Sequence, residues 1–295
     1  MKVLIQNYND ILSTQTFYIN QCLNEIDSLE VKIWNVGQAS VHDALDSFNP
    51  DLLIASGKLV NEVLIRYLSE NKKIKVIVNT TRCNQHIVDY IESKFTESGI
   101  DCPLFFSEGF DELIKGKPKN IKFLALMPAL DLFLNPQPPL SYNIKNCIIT
   151  NKRSETYDNV CNNNTEYHKM IFGVDLHSEF DIESNISNAC ALSDNYEELT
   201  LVGDVEFICS QIFFNALARA KKVSIKPHDS DDEKFQSILS KLFSEKEKEI
   251  SLEKIKEQIE KEHTCIHRVF TLMNEAGYED QAKLIVTKFG EQNGQ

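Results

Sequence analysis

Short apolar runs alternate with helix-periodic stretches along this chain, and that alternation constrains the fold more than any other feature. Residues 2–6, 31–34, 52–55, 74–78 and 102–106 read as strands. Between them, 14–26, 41–48, 59–69 and 86–95 place apolar side chains at helical spacing, and 110–114 reads as a short helix. Strands apolar along their length are buried on both faces, which a parallel sheet under two helical layers provides. The expected fold of this half is α/β and Rossmann-like.

A further strand at 121–126 ends this half, and four prolines follow within 127–139. Proline restricts itself and its predecessor, so 127–139 reads as a stiff, extended linker. A second α/β series follows. It has strands at 146–150, 169–172 and 199–202, a polar loop around Asn162, Asn163 and Asn164, and a helix at 182–192. Residues 205–220 then read as one amphipathic helix running almost directly into a β-branched strand ending at Ile225. Helices are expected at 233–243, in one long stretch from about 252 to 275, and at 281–289. The Glu/Lys run at 245–261 reads as a solvated helix face with opposite charges a turn apart. The expected domains are 1–126, a linker at 127–139, a second Rossmann-like domain at 140–275, and a terminal helix at 276–295 packing back toward the first.

At 295 residues and 42% hydrophobic content the chain can bury cores for two domains. A net charge of −13 argues against nucleic acid or an anionic membrane as the main partner. The eight cysteines are scattered with no CxxC pair, which favours reduced thiols over a disulfide framework or a structural zinc. No leader and no membrane span is read from the sequence, so a cytoplasmic protein is expected.

Three strings carry a family resemblance. Leu126-Met-Pro-Ala-Leu-Asp-Leu-Phe133 resembles a "Pro-x-x-Asp-x-x-x-Phe" entry into a second domain, with Phe133 two residues after Asp131 where the pattern has it four on. Ser210-Gln-Ile-Phe-Phe-Asn-Ala-Leu-Ala218 resembles a "Ser-x-Arg-x-Phe-(Asp/Glu)-x-x-Ala" helix, and Glu262-His-Thr-Cys-Ile-His-Arg-Val269 a late "His-Thr-Tyr-x-x-Arg" helix. Together they resemble the GT-B glycosyltransferase superfamily, and within it the CgeB-like, spore-maturation-type group. The resemblance implies two Rossmann-like domains around an interdomain cleft, C-terminal helices, a nucleotide or nucleotide-sugar donor, an unknown acceptor, and no cofactor or metal.

By that resemblance Lys152 and Arg153 would face the donor diphosphate, backbone N–H groups near Gly203 and Asp204 would add hydrogen bonds, and Ser210 and Asn215 would lie on the donor helix. Asp10 occupies the loop where inverting relatives keep a catalytic base. Asn215 stands where the group carries Asp or Glu, which replaces a charge-assisted ribose contact with a weaker neutral one. Gln211-Ile212 and Ala220-Lys221 depart from the pattern too, and the loop after Ile225 is short. In open α/β sheets ligands bind beyond the carboxyl ends of the strands. That rule adds Gly57, Lys58, Thr80, Thr81, Arg82, Ser107 and Glu108 as cleft candidates. His263 and His267 share a helix face, but no third metal ligand is evident.

Two functions follow as expectations. One is a glycosyltransferase-like protein moving a sugar from a nucleotide donor. The other is a non-catalytic relative that binds a nucleotide, sugar or protein partner. Asn215, the short loop and only 10 glycines lean toward the second. A sugar-nucleotide epimerase on the same fold lacks a supporting acid cluster.

Overall fold

The computed structural model describes residues 1–8, 14–109, 111–133, 145–171, 196–208, 210–219, 221–228, 232–242 and 252–290. The chain forms two compact units: Met1–Met127 with Cys265–Gln295, and Pro128–Thr264.

The first unit is built on strands β1 (Lys2–Asn7), β2 (Glu30–Asn35), β3 (Leu52–Ser56), β4 (Lys75–Asn79), β5 (Leu104–Glu108) and β6 (Phe123–Leu126). They form one parallel sheet in the order β2-β1-β3-β4-β5-β6. Helices α1 (Thr14–Asn24), α2 (Val41–Phe48), α3 (Glu62–Glu70) and α4 (Gln85–Ser98) connect the strands. Helix starts follow local chemistry: Ser40, Asn61 and Asn84 each accept a hydrogen bond from the backbone N–H three residues on. Helix α4 ends at Gly99, which takes the left-handed backbone at φ +61°.

Alternate strand residues separate onto two faces. Leu4, Leu53, Ala55, Val76, Val78 and Phe105 pack with the apolar stripes of α2, α3 and α4. Val3, Ile5, Leu52, Ile54, Ile77, Leu104 and Phe106 are buried as well, as strands apolar on both faces require.

The second unit carries β7 (Asn146–Thr150), α5 (Glu155–Asn163), β8 (His168–Ile171), β9 (Glu198–Gly203), α6 (Val205–Ile208), α7 (Gln211–Arg219), β10 (Lys222–Pro227), α8 (Asp232–Leu242) and α9 (Leu252–Glu262). Its sheet, β10-β9-β7-β8, is also parallel throughout and repeats the order of the first four strands of the other unit. Ile148 and Val202 pack with Tyr157, Val160 and Cys161 of α5. Two further helices, α10 (Cys265–Glu275) and α11 (Glu279–Gly290), pack on each other, and α10 also meets α1 and β6. The α/β fold with two parallel, Rossmann-like sheets is therefore as expected.

Three local expectations fail for identifiable reasons. The polar loop around Asn162–Asn164 is mostly helix, because Ser154 caps α5 by accepting from Tyr157 N–H and acids fill its first turn. The helix expected at 205–220 divides at Ser210, whose Oγ accepts from Phe213 N–H and starts a new helix. The long helix expected at 252–275 stops at Glu262: the His263 carbonyl takes the Leu130 N–H, and Thr264 forms a bridge with Leu130. The helix expected at 182–192 lies outside the described residues.

One carboxylate pins a loop of the first unit. Glu92 of α4 is 5% exposed and accepts from the N–H groups of Lys119, Asn120 and Ile121 at 2.5–3.0 Å. Burial pushes its carboxyl up, but the three N–H donors outweigh it and hold it below the ordinary glutamate range. Glu92→Ala would orphan these donors and cost roughly 2–3 kcal/mol. Hydrogen exchange is expected to speed selectively at residues 119–121, and unchanged exchange there would remove Glu92 from this role.

Candidate functional site

In a parallel sheet every strand ends on the same edge, and a crevice opens where the chain reverses its direction of strand addition. In the second unit that point lies between β7 and β9, since β8 is added on one side and β9 on the other. The residues just past these strands are Asn151-Lys152-Arg153-Ser154 and Asp204, with His228 just past β10.

They form one hydrogen-bonded group. Asp204 is 7% exposed. Its Oδ1 accepts from Asn151 Nδ2 at 2.8 Å and from Phe207 N–H at 3.1 Å, and its Oδ2 pairs with Lys152 Nζ at 2.7 Å. Burial raises the Asp204 carboxyl, but the Lys152 ammonium, the Phe207 N–H and the Asn151 amide together hold it below the ordinary aspartate range. The His228 ring lies 3.3 Å from Asn151 Oδ1 through Nε2 and 2.6 Å from Ser154 Oγ through Nδ1. The His228 N–H donates to the Gly203 carbonyl, tying the end of β10 to that of β9.

Exposure sorts the cations from the rest. Lys152 is half exposed at its side chain and Arg153 is exposed, whereas Asn151, Asp204 and His228 are buried. The arrangement offers two positive groups at the rim of a fixed polar floor, suited to an anionic ligand with hydroxyl or amide groups.

Gly203 is explained by packing. A Cβ there would fall 2.1 Å from the Phe207 ring, so the glycine admits that ring. Ser210 caps α7 and donates to the Phe207 carbonyl. Asn215 is fully buried, and its Oδ1 accepts from Asp131 N–H at 3.4 Å. One turn on, Arg219 donates to the Asp131 carbonyl at 2.9 Å. Helix α7 thereby holds both backbone polar groups of one residue, Asp131, where the chain enters this unit.

The corresponding edge of the first unit gathers most of the remaining candidates. Thr81 Oγ1 accepts from Glu108 N–H at 2.9 Å, and Thr80 binds the Phe106 carbonyl through both its N–H and its hydroxyl. Gln15 donates to Glu108 Oε2 and accepts from Asn79 Nδ2. Ser107 and Gly57 are buried, with Cys83 Sγ and the Asn79 carbonyl where a Gly57 Cβ would point. Lys58 and Arg82 are exposed, and Arg82 takes the left-handed backbone at φ +60°. Asp10 lies outside the described residues.

The structure thus joins Lys152 to Asp204 and Thr81 to Glu108. It adds Asn151, Ser154 and His228 to one edge and Gln15 and Asn79 to the other; of these only Asn151 and Asn79 lie in loops that the strand-end rule picks out from the sequence. Their common signal is position, since all but Gln15 end a strand or follow one closely. Among the described residues no group of three His, Cys, Asp or Glu side chains is placed to hold a metal, and no helix is long and apolar enough to cross a membrane.

No protein-family model matches the chain, and no curated protein sequence does. Among solved structures it is similar to a putative UDP-N-acetylglucosamine 2-epimerase from Listeria monocytogenes at 10% identity, covering 100% of this chain and 97% of that one with a TM-score of 0.41. It is also similar to CalG4, the calicheamicin glycosyltransferase, at 9% identity, covering 98% of each chain with a TM-score of 0.36. At these identities and scores the likenesses assign no substrate or chemistry to this chain.

The Asp204 shift has a pH consequence. A carboxyl held below its unfolded value stabilises fully above that value and loses the contribution as pH falls through its folded one. The Phe207 amide resonance is expected to titrate below the ordinary aspartate range, together with loosening of the Asn151 side-chain amide. A midpoint at or above that range would contradict an ionised, three-partner Asp204.

Proposed function

We propose that this chain is a GT-B-type, glycosyltransferase-like protein that binds a nucleotide or nucleotide sugar at the carboxyl edge of its second unit. The observation that carries the reading is the pairing of exposed Lys152 and Arg153 with the buried Asp204–Asn151–His228 floor at the switch point of that sheet. The finer kinship, with the CgeB-like group, rests on the strings at 126–133, 210–218 and 262–269.

Geometry supports a ligand role for Lys152. Its side chain is half exposed while the paired Asp204 carboxylate is buried, so a diphosphate at the rim would share the ammonium with the carboxylate and not remove it. Asp204 also keeps the Asn151 amide and the Phe207 N–H. A diphosphate would recruit Lys152 and Arg153 by charge-assisted hydrogen bonds, and in a transfer reaction the same cations would neutralise the leaving group. The acceptor would be a hydroxyl compound of a class still to be found.

A second reading, binding without transfer, draws on two observations. Asn215 is engaged with the Asp131 peptide, and the space beside Gly203 is filled by Phe207. A donor site needs close backbone approach to phosphate, which glycine normally provides.

The two readings separate in one screen. UDP, GDP and their sugar conjugates are tested by thermal shift, where a ligand at about 100 times its Kd adds about 2.7 kcal/mol. At least one is expected to stabilise the wild type, with the effect reduced in Lys152→Ala. No shift with any of them would overturn nucleotide binding. A shift without donor hydrolysis or transfer would select the binding module.

A further inference from the structure

Hydrogen-bond direction can be followed atom by atom through the second unit's polar floor. An ionised Asp204 only accepts, so the Asn151 group facing it must be the NH2. The Asn151 carbonyl oxygen therefore faces His228 Nε2, which must carry a proton to donate across 3.3 Å. The ring is 2% exposed, where a charge is costly. In a neutral imidazole protonated at Nε2, Nδ1 is an acceptor. Ser154 lies 2.6 Å from Nδ1, so its hydroxyl proton points inward to the ring.

That leaves Ser154 Oγ with two acceptor positions. The Tyr157 N–H takes one at 3.0 Å. The other belongs to a partly exposed side chain beside Lys152 and Arg153. A serine at a helix start is usually free to donate or accept, whereas this one has its only proton committed.

We propose that Ser154 is a ligand-contacting residue that accepts a hydrogen bond from a ligand O–H or N–H, and that His228 is the positioning residue that keeps the serine proton turned inward. The ligand class is a hydroxyl- or amide-bearing group, such as a ribose or sugar hydroxyl, with the anionic portion left to Lys152 and Arg153. The inference rests on the nucleotide reading above and deepens it, by dividing one site into a cation rim for phosphate and an acceptor for hydroxyl.

Two measurements on the full chain decide it. Ring-nitrogen NMR at pH 8 on 15N-histidine-labelled protein is expected to show His228 protonated at Nε2 alone. In Ser154→Ala the Nδ1 signal should shift toward that of an unbonded nitrogen. Protonation at Nδ1 alone, or at both nitrogens, would overturn the positioning role. Calorimetry with uridine, UDP and UDP-glucose is then compared across wild type, Ser154→Ala and Ser154→Thr. The alanine variant is expected to bind about tenfold more weakly, a loss of about 1.4 kcal/mol, with threonine close to wild type because it keeps both hydroxyl and cap. Equal affinity in all three proteins would overturn the contact. If none of the three ligands binds wild type, the ligand half of the proposal falls together with the nucleotide reading, while the ring tautomer still decides the positioning half.

Discussion

A buried, ionised carboxylate at the end of β9 organises the second unit's working edge. Asp204 binds groups from two other segments, the Asn151 amide and Lys152 ammonium after β7 and the Phe207 N–H in the first turn of α6. Burying an aspartate costs several kcal/mol unless it is paired and hydrogen-bonded, so these donors must be present together. Once they are, Asn151 has a single orientation, and through it His228 and Ser154 do too. The chemistry available at the edge depends on that one carboxylate staying charged.

Asn215 illustrates the opposite solution to burying polarity. It sits in the interior with Phe213 and Phe214, where both rings are fully buried. The group it serves is the Asp131 N–H, while Arg219 takes the Asp131 carbonyl. A neutral amide provides the acceptor without placing a second charge in that interior. Asn215 thus has a structural part: α7 clasps the incoming chain, and Leu130 beside it bonds to His263 where the chain leaves the unit.

Much of the architecture was legible because its cause is local. Leu52–Ser56 and Lys75–Asn79 are strands flanked by amphipathic helices, and each such helix announces itself with Ser or Asn at its cap. What escaped depends on long-range contacts. The break after Glu262 comes from Leu130, far back in the chain, competing for the His263 carbonyl. The same limit applied to the site. Thr81 and Glu108 could be named because they follow or end strands, and Lys152 and Asp204 through the resemblance, whereas Ser154 and His228 become a pair only when β10 is laid beside β9. Gln15 is invisible to the strand-end rule because it reaches its edge from α1.

Backbone amide NMR during a nucleotide titration reports directly on whether a ligand seats at the Asp204 edge. With UDP, GDP and their sugar conjugates, the largest shifts are expected on Asn151–Ser154, Gly203–Phe207 and His228, and Asp204→Asn is expected to abolish them. Shifts confined to the first unit, or a wild-type response unchanged in Asp204→Asn, would contradict a ligand seat at that edge.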